Sequence, residues 1–344
     1  MSAKLPLTLA CGDYEIVKAL KEGSIAPDGI ELNVLTDMDS SSRHWRMIRN
    51  EEFDVCELSG SSYLMAKDRG QAFSAIPVFL HRRFRHGFIF VNTSKGISGP
   101  ADLNGKRIGL KTYQATAILY LRGLLADEYR VDLASIEWIT ELEEEIPFET
   151  PTGINITQAP PGSDISEMLA EGDVDAVIHP DIILPILRGD DRVGRLFEDY
   201  RAEEEAYYKR TGIFPIMHAT AIRDEILEEH PWVANNLAQA FERAKHAAYR
   251  RMSNPRIVPL AWFLDEWDAQ RALLRVRAVA SEEEGTARGE ARVEGQGKGV
   301  AVIVARGGEA SYATARGPHT RRAGHARART STAGWMSTAQ PPAG

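Results

Sequence analysis

The residues best suited to chemistry in this chain form a run of cations, three histidines beside apolar stretches, and two hydroxyl-bearing turns. The cationic run is His81-Arg82-Arg83-Phe84-Arg85-His86, set between apolar stretches at 75–80 and 88–91. A guanidinium matches a carboxylate two bonds at a time, so Arg82, Arg83 and Arg85 are candidates to grip an acidic ligand, with Arg83 and Arg85 foremost. The ordinary alternative is a solvated loop. His179 follows Ala176-Val-Ile, and His218 follows Phe214-Pro-Ile-Met. Imidazole titrates near neutrality, so His218, His179 and His86 could each give or take a proton. One histidine at a strand end is usually structural; three facing one cleft weigh more.

Ser59, Ser61 and Ser62 stand where an apolar strand gives way to a helix, and Tyr113, Gln114 and Thr116 occupy a second turn of the same kind. Free N–H groups at a helix start attract anions, and hydroxyls add donors. Plain capping accounts for one serine as readily. No cysteine or histidine spacing resembles a metal site. Cys11 and Cys56 each end an apolar run and read as two buried thiols in a reducing compartment rather than a disulfide.

These groups must be positioned by a soluble α/β scaffold. The 344 residues are 43% hydrophobic and 26% charged, with a net charge of −8, enough for two medium lobes. That balance provides no global field to draw in nucleic acid or an anionic membrane. No apolar run approaches the roughly 20 residues that span a bilayer. The apolar stretch at 5–11 is short and contains Pro6, so it reads as a first strand rather than a signal peptide, and a cytoplasmic location is expected. Strand patterns at 5–10, 30–35, 53–57, 75–80 and 88–91 alternate with helical patterns at 13–22, 43–50 and 59–69. A second strand–helix series follows residue 92, with helices at 116–129, 164–171 and 198–210. A strand at 214–221 precedes a long helix at 231–252 whose apolar face carries Val233, Leu237, Phe241, Ala244 and Ala248. Alternation of this kind predicts doubly wound sheets. From Arg275 onward there is no Leu, Phe, Asp, Asn or Cys. Residues 275–344 therefore read as an aberrant, disordered low-complexity tail, consistent with a shifted reading frame.

Several segments together resemble the 4,5-dihydroxyphthalate decarboxylase family. They are Gly99-Pro-Ala-Asp-Leu-Asn-Gly-Lys-Arg-Ile-Gly-Leu, Arg85-His-Gly-Phe-Ile-Phe-Val-Asn, Tyr113-Gln-Ala-Thr-Ala, Arg122-Gly-Leu-Leu-Ala-Asp-Glu-Tyr, Phe53-Asp-Val-Cys-Glu-Leu-Ser and Thr211-Gly-Ile-Phe-Pro-Ile-Met-His. The resemblance covers residues 5–274 and departs from the family in the tail. It implies a two-lobed type 2 periplasmic-binding-protein-like fold, shared with ABC-transporter solute-binding proteins. Lobe one is expected at 1–92 and 214–274 and lobe two at 93–213, with crossings at 91–94 and 211–215. It also implies a carboxy-lyase that needs no cofactor or metal and acts on a small anionic aromatic acid, such as 4,5-dihydroxyphthalate, to give 3,4-dihydroxybenzoate. In that reading His218 or His179 protonates the ring, His86 assists the phenol, and an arginine holds the retained carboxylate. A homo-oligomer is compatible with the sequence. The alternatives are a solute-binding protein for a small anionic or aromatic ligand, and another enzyme of this fold, such as a chorismate-derived dehydratase or cyclase.

Overall fold

The computed structural model describes residues 3–274 and a pair of short antiparallel strands, Ala301–Ile303 and Tyr312–Thr314. Apart from that pair, the expectation for 275–344 lies outside the described residues. The first series of elements is β1 (Leu5–Ala10), α1 (Lys18–Lys21), β2 (Ile30–Leu35), α2 (Ser40–Asn50), β3 (Val55–Ser59), α3 (Gly60–Asp68) and β4 (Phe73–Ile76). The second is β5 (Ile89–Asn92), β6 (Arg107–Leu110), α4 (Thr116–Tyr129), β7 (Glu137–Thr140), β8 (Asn155–Gln158), α5 (Ile165–Glu171), β9 (Ala176–Ile178), α6 (Leu184–Leu187), β10 (Val193–Arg195) and α7 (Tyr200–Thr211). The chain then returns through β11 (His218–Arg223), α8 (Asp224–Glu229), α9 (Trp232–Met252) and α10 (Phe263–Leu274).

Two sheets result, ordered β2-β1-β3-β11-β4 and β10-β5-β9-β6-β7-β8. Each sheet holds parallel strands and one antiparallel strand next to a crossing: β11 between β3 and β4, and β5 between β9 and β10. The shared order is the two-lobed binding-protein architecture expected from the sequence. Parallel strands are covered on both faces, and β3 shows how. Val55 faces Leu7, Leu9, Ile222, Leu237 and Phe241, while Cys56 and Leu58 face Met47, Phe53, Tyr63 and Phe73. The return helix α9 buries a stripe at Val233, Leu237, Ala240, Phe241, Ala244 and Ala248. Each large side chain in such a stripe contributes about 1.5–3 kcal/mol, enough to fix α9 on the first sheet.

The first crossing lies earlier than the sequence suggested. Ile89 pairs with Ile178 and Phe90 with Val177, so β5 already belongs to the second sheet and the chain has left the first before residue 89. The second crossing occupies 212–217, close to the expected 211–215. The two crossings run side by side as an antiparallel ribbon: Arg82 bridges Ile216, Arg83 N–H donates to Pro215 C=O at 3.1 Å, and Met217 N–H donates to His81 C=O at 2.9 Å. This pairing is why the strand expected from 214 begins only at His218. The helix expected at 13–22 shortens to Lys18–Lys21 because the chain first turns at Gly12–Tyr14, drawing the Tyr14 hydroxyl onto Glu57. Among the described residues, no helix is long and apolar enough to cross a membrane.

Candidate active site at the junction of the lobes

The strongest electrostatic centre is Glu57, fully buried in β3. A carboxylate there must be neutralised, and the fold supplies four partners. Its Oε1 accepts from the Tyr14 hydroxyl at 2.7 Å and lies 2.7 Å from His218 Nδ1; its Oε2 accepts from Gly12 N–H at 2.8 Å and Arg43 Nη2 at 2.9 Å. Gly12 is required: a Cβ there would stand 2.6 Å from the Tyr14 ring. Burial acts to raise the Glu57 carboxyl, but the hydrogen bond and charge of His218, the Arg43 guanidinium and the Gly12 N–H outweigh it and hold the group at about 2. Glu57 is therefore an anion at neutral pH, and it fixes His218 with its proton on Nδ1. The His218 imidazole is lowered by burial, against the raising pull of Glu57. Its Nε2 makes no hydrogen bond among the described residues and is left for the cleft.

His218 is flanked by two further imidazoles, His44 at 5.1 Å and His81 at 4.8 Å between ring centroids, both edge-on. Burial, then the charges of His218 and Arg85, push His81 down to about 3, so it stays neutral. His44 Nδ1 is 3.5 Å from Glu145 Oε1, whose other oxygen accepts from the Ser62 hydroxyl at 2.6 Å. Glu145 comes from the loop after β7, so these contacts cross from one lobe to the other.

The first turns of α3 and α4 also meet across the cleft. The Ser59 hydroxyl is 2.7 Å from that of Thr116, Ser61 N–H donates to the Thr116 hydroxyl at 3.0 Å, and the Ser61 hydroxyl donates to Gln114 C=O at 2.5 Å. Gly60 N–H donates to Met217 C=O at 2.9 Å, tying this turn to the residue before His218. Two positive helix ends thus converge near the imidazoles, a setting suited to an anion.

The structure sorts the sequence-derived candidates. It brings together His218, Ser59, Ser61, Ser62, Gln114 and Thr116, with Tyr113 just behind, buried against Trp138 and Phe148. Arg85 lies buried between the crossings, with Nε against the Met217 sulfur at 3.1 Å and Nη1 donating to Pro180 C=O at 2.6 Å. Burial lowers it to about 10, so it remains a cation. Through Pro180 it adjoins His179, whose Nδ1 accepts from Asp181 N–H at 3.0 Å and whose imidazole is lowered by burial. Arg82 and Arg83 are exposed; Arg82 Nη2 donates to Phe214 C=O, and Arg83 lies over the Phe88 ring. His86 is not with the other histidines. It is 1% exposed among Phe197, Tyr207 and Tyr129, and both its nitrogens lack a hydrogen bond among the described residues. The turn at 86–88 aims it into the second lobe, away from the cleft.

Sequence reasoning missed Glu57, Tyr14, Arg43, His44, His81 and Glu145. Only Glu57 carries a local signal: a carboxylate inside Val-Cys-Glu-Leu-Ser needs a buried cation. Cys11 and Cys56 are free, buried thiols, as expected.

A family model described as an ABC-transporter, phosphonate, periplasmic substrate-binding protein matches residues 30–145. The periplasmic aliphatic sulphonate binding protein of Escherichia coli aligns with a TM-score of 0.47 at 13% identity, over 80% of this chain and 78% of that one. A 4,5-dihydroxyphthalate decarboxylase of Pseudomonas putida is 32% identical over 213 residues, 60% of this chain and 82% of that protein. A protein of the same name from Comamonas testosteroni is 38% identical over 260 residues, 73% of this chain and 78% of its own length. At 38% identity over 78% of that relative's length, this chain belongs to the 4,5-dihydroxyphthalate decarboxylase family.

Proposed function

We propose that the protein decarboxylates a hydroxylated aromatic dicarboxylate such as 4,5-dihydroxyphthalate to 3,4-dihydroxybenzoate, with His218 as the proton-handling residue. The observation that carries this reading is the 2.7 Å contact between His218 Nδ1 and a buried, ionised Glu57. That contact sets the tautomer, directs Nε2 outward, and compensates the imidazolium when Nε2 takes a proton.

The chemistry follows from the substrate. The phenol para to the departing carboxylate gives up its proton to solvent water, and its electron pair is pushed through the ring to the carboxylate-bearing carbon. Protonated His218 Nε2 delivers a proton to that carbon. The carbon–carbon bond then breaks, its electrons restore the aromatic ring, CO2 leaves, and the phenolate regains a proton from water. One proton is consumed overall. The ring is its own electron sink, so the reaction calls for neither metal nor organic cofactor. The approach of a dianion favours the charged form of His218 against the lowering effect of burial. Arg85 is placed to hold the retained carboxylate, whose charge also suits the converging helix ends. His179 orients the Pro180 carbonyl that Arg85 grips. Two buried free thiols fit a reducing, cytoplasmic setting.

The test is incubation of chelator-dialysed protein with 4,5-dihydroxyphthalate, following CO2 and 3,4-dihydroxybenzoate. Both should form stoichiometrically. Thermal stabilisation by the acid without turnover would replace this reading with a solute-binding one.

A further inference from the structure

The turn before α4 already holds a carboxylate, and it is the protein's own. Glu144, from the acidic loop Glu141-Leu-Glu-Glu-Glu, accepts from Tyr113 N–H at 2.6 Å through Oε1 and from Gln114 N–H at 3.1 Å through Oε2. Two adjacent backbone donors gripping both oxygens of one carboxylate is the geometry by which a helix start binds an anionic ligand. The Gln114 side chain is 5% exposed and lies against the same carboxylate, yet neither of its amide atoms makes a hydrogen bond of good geometry among the described residues. A buried amide with both ends unmade is costly unless a ligand completes it. Glu144 is itself poorly accommodated: burial raises its carboxyl, only partly offset by the two N–H groups.

From this geometry we infer that the Tyr113–Gln114 turn is a subsite for a carboxylate of the substrate, and that Glu144 occupies it as an internal competitor when no substrate is bound. The inference rests on the decarboxylase reading for the identity of the ligand and extends it by assigning one carboxylate to this turn. When substrate enters, its carboxylate takes the two backbone N–H groups and the Gln114 amide, and Glu144 swings out. Because Glu145 is the next residue, and bonds Ser62 while standing beside His44, displacing Glu144 also pulls on the contacts that join the lobes. Substrate binding is thereby coupled to rearrangement around His218.

Removing the competitor should tighten binding. If Glu144 fills the subsite nine-tenths of the time, Glu144→Ala lowers the apparent Kd about tenfold. The probe is phthalate, an aromatic dicarboxylate without the phenol that decarboxylation needs, titrated calorimetrically into the full-length wild type, Glu144→Ala and Glu144→Gln. The expected order of affinity is Ala, then Gln, then wild type, with KM for 4,5-dihydroxyphthalate falling in parallel. Equal or weaker phthalate binding by both variants, with melting curves showing them folded, overturns the inference and makes Glu144 a structural cap. If Glu144→Ala alone melts early, the Gln variant decides the matter. Tighter phthalate binding without turnover in any variant upholds the subsite and rejects the decarboxylase. Normal turnover with unchanged affinity upholds the decarboxylase and rejects the competitor.

Discussion

Two of the protein's glutamate–histidine pairs are opposites. At the cleft, Glu57 and His218 touch at 2.7 Å inside a net of Arg43, Tyr14 and Gly12. Behind the crossings, Glu204 Oε1 stands 4.0 Å from His86 Nδ1 in an aromatic pocket formed by Phe197, Tyr207 and Tyr129. The first carboxyl is held at about 2. Burial raises the second to about 7, and burial, with the Arg210 charge behind it, lowers His86 to about 4. The same two residue types thus make a charged, oriented proton relay in one place and, in the other, a packing element whose carboxyl is about half ionised at neutral pH. The difference comes from the third partners. A carboxylate bonded directly by a guanidinium and a hydroxyl keeps its charge, while one set among aromatic rings with only a 3.3 Å contact from Gly87 N–H gives part of it up.

The sharpest break between the pairs should be in turnover. His218→Ala should cost roughly a thousandfold in kcat, the range expected for a positioned acid–base group. His86→Phe keeps a ring in the aromatic pocket and should leave kcat within about threefold, since a group that contacts no reacting atom contributes little to a proton-transfer step. Equal losses in the two variants would mean that His86 acts on the substrate after all.

How far the sequence disclosed this contrast can be followed residue by residue. Helix α4 was legible to its ends, because Thr116–Tyr129 has an apolar pattern and a clear start. The turns at Ser59–Ser62 and Tyr113–Thr116 were legible as helix starts that aim N–H groups one way, and the structure brings the two together. The sheet to which β5 belongs was not, since Ile-Phe-Val-Asn suits the core of either lobe. His86 was misplaced for a related reason: one residue of rotation in the turn at 86–88 separates the cleft from the aromatic pocket. Arg43 and His44 look like the polar face of an ordinary helix, and Glu144 and Glu145 like a solvated acidic loop. Arg43 finds its role only once α2 packs beside β3, Glu144 once its loop folds onto the turn before α4, and His44 and Glu145 once the lobes meet.

Stability should separate the pairs next, with opposite signs. Glu57→Gln leaves Arg43 buried without its anion and should destabilise by about 3 kcal/mol or more. Glu204→Gln should be neutral near pH 4 and stabilising at pH 8. The signs follow from linkage. Glu57 is lowered on folding from 4.5 to about 2, so its contribution is present above pH 4.5 and lost as pH falls towards 2. Glu204 is raised from 4.5 to about 7, so its contribution is present below pH 4.5 and lost as pH rises through 7. Melting curves of wild type and Glu204→Gln should therefore diverge between pH 4.5 and 7. Parallel curves across that window would remove the contrast.

The smallest effect concerns two arginines of the crossing ribbon. Arg85 is buried between the crossings against Met217 and Pro180, whereas Arg82 lies exposed over Phe214. A lysine keeps the charge but not the fork, so it cannot bond Pro180 and a carboxylate together. Arg85→Lys should raise KM about tenfold, the cost of losing one charge-assisted bond of about 1.4 kcal/mol, with kcat changed much less. Arg82→Lys keeps its cation over the Phe214 ring and should leave both constants within about twofold, as for most exposed ionic contacts. A KM effect at Arg82 as large as that at Arg85 would move the carboxylate anchor from the buried face of the crossing ribbon to its exposed one. His218 would then face a substrate held the other way round.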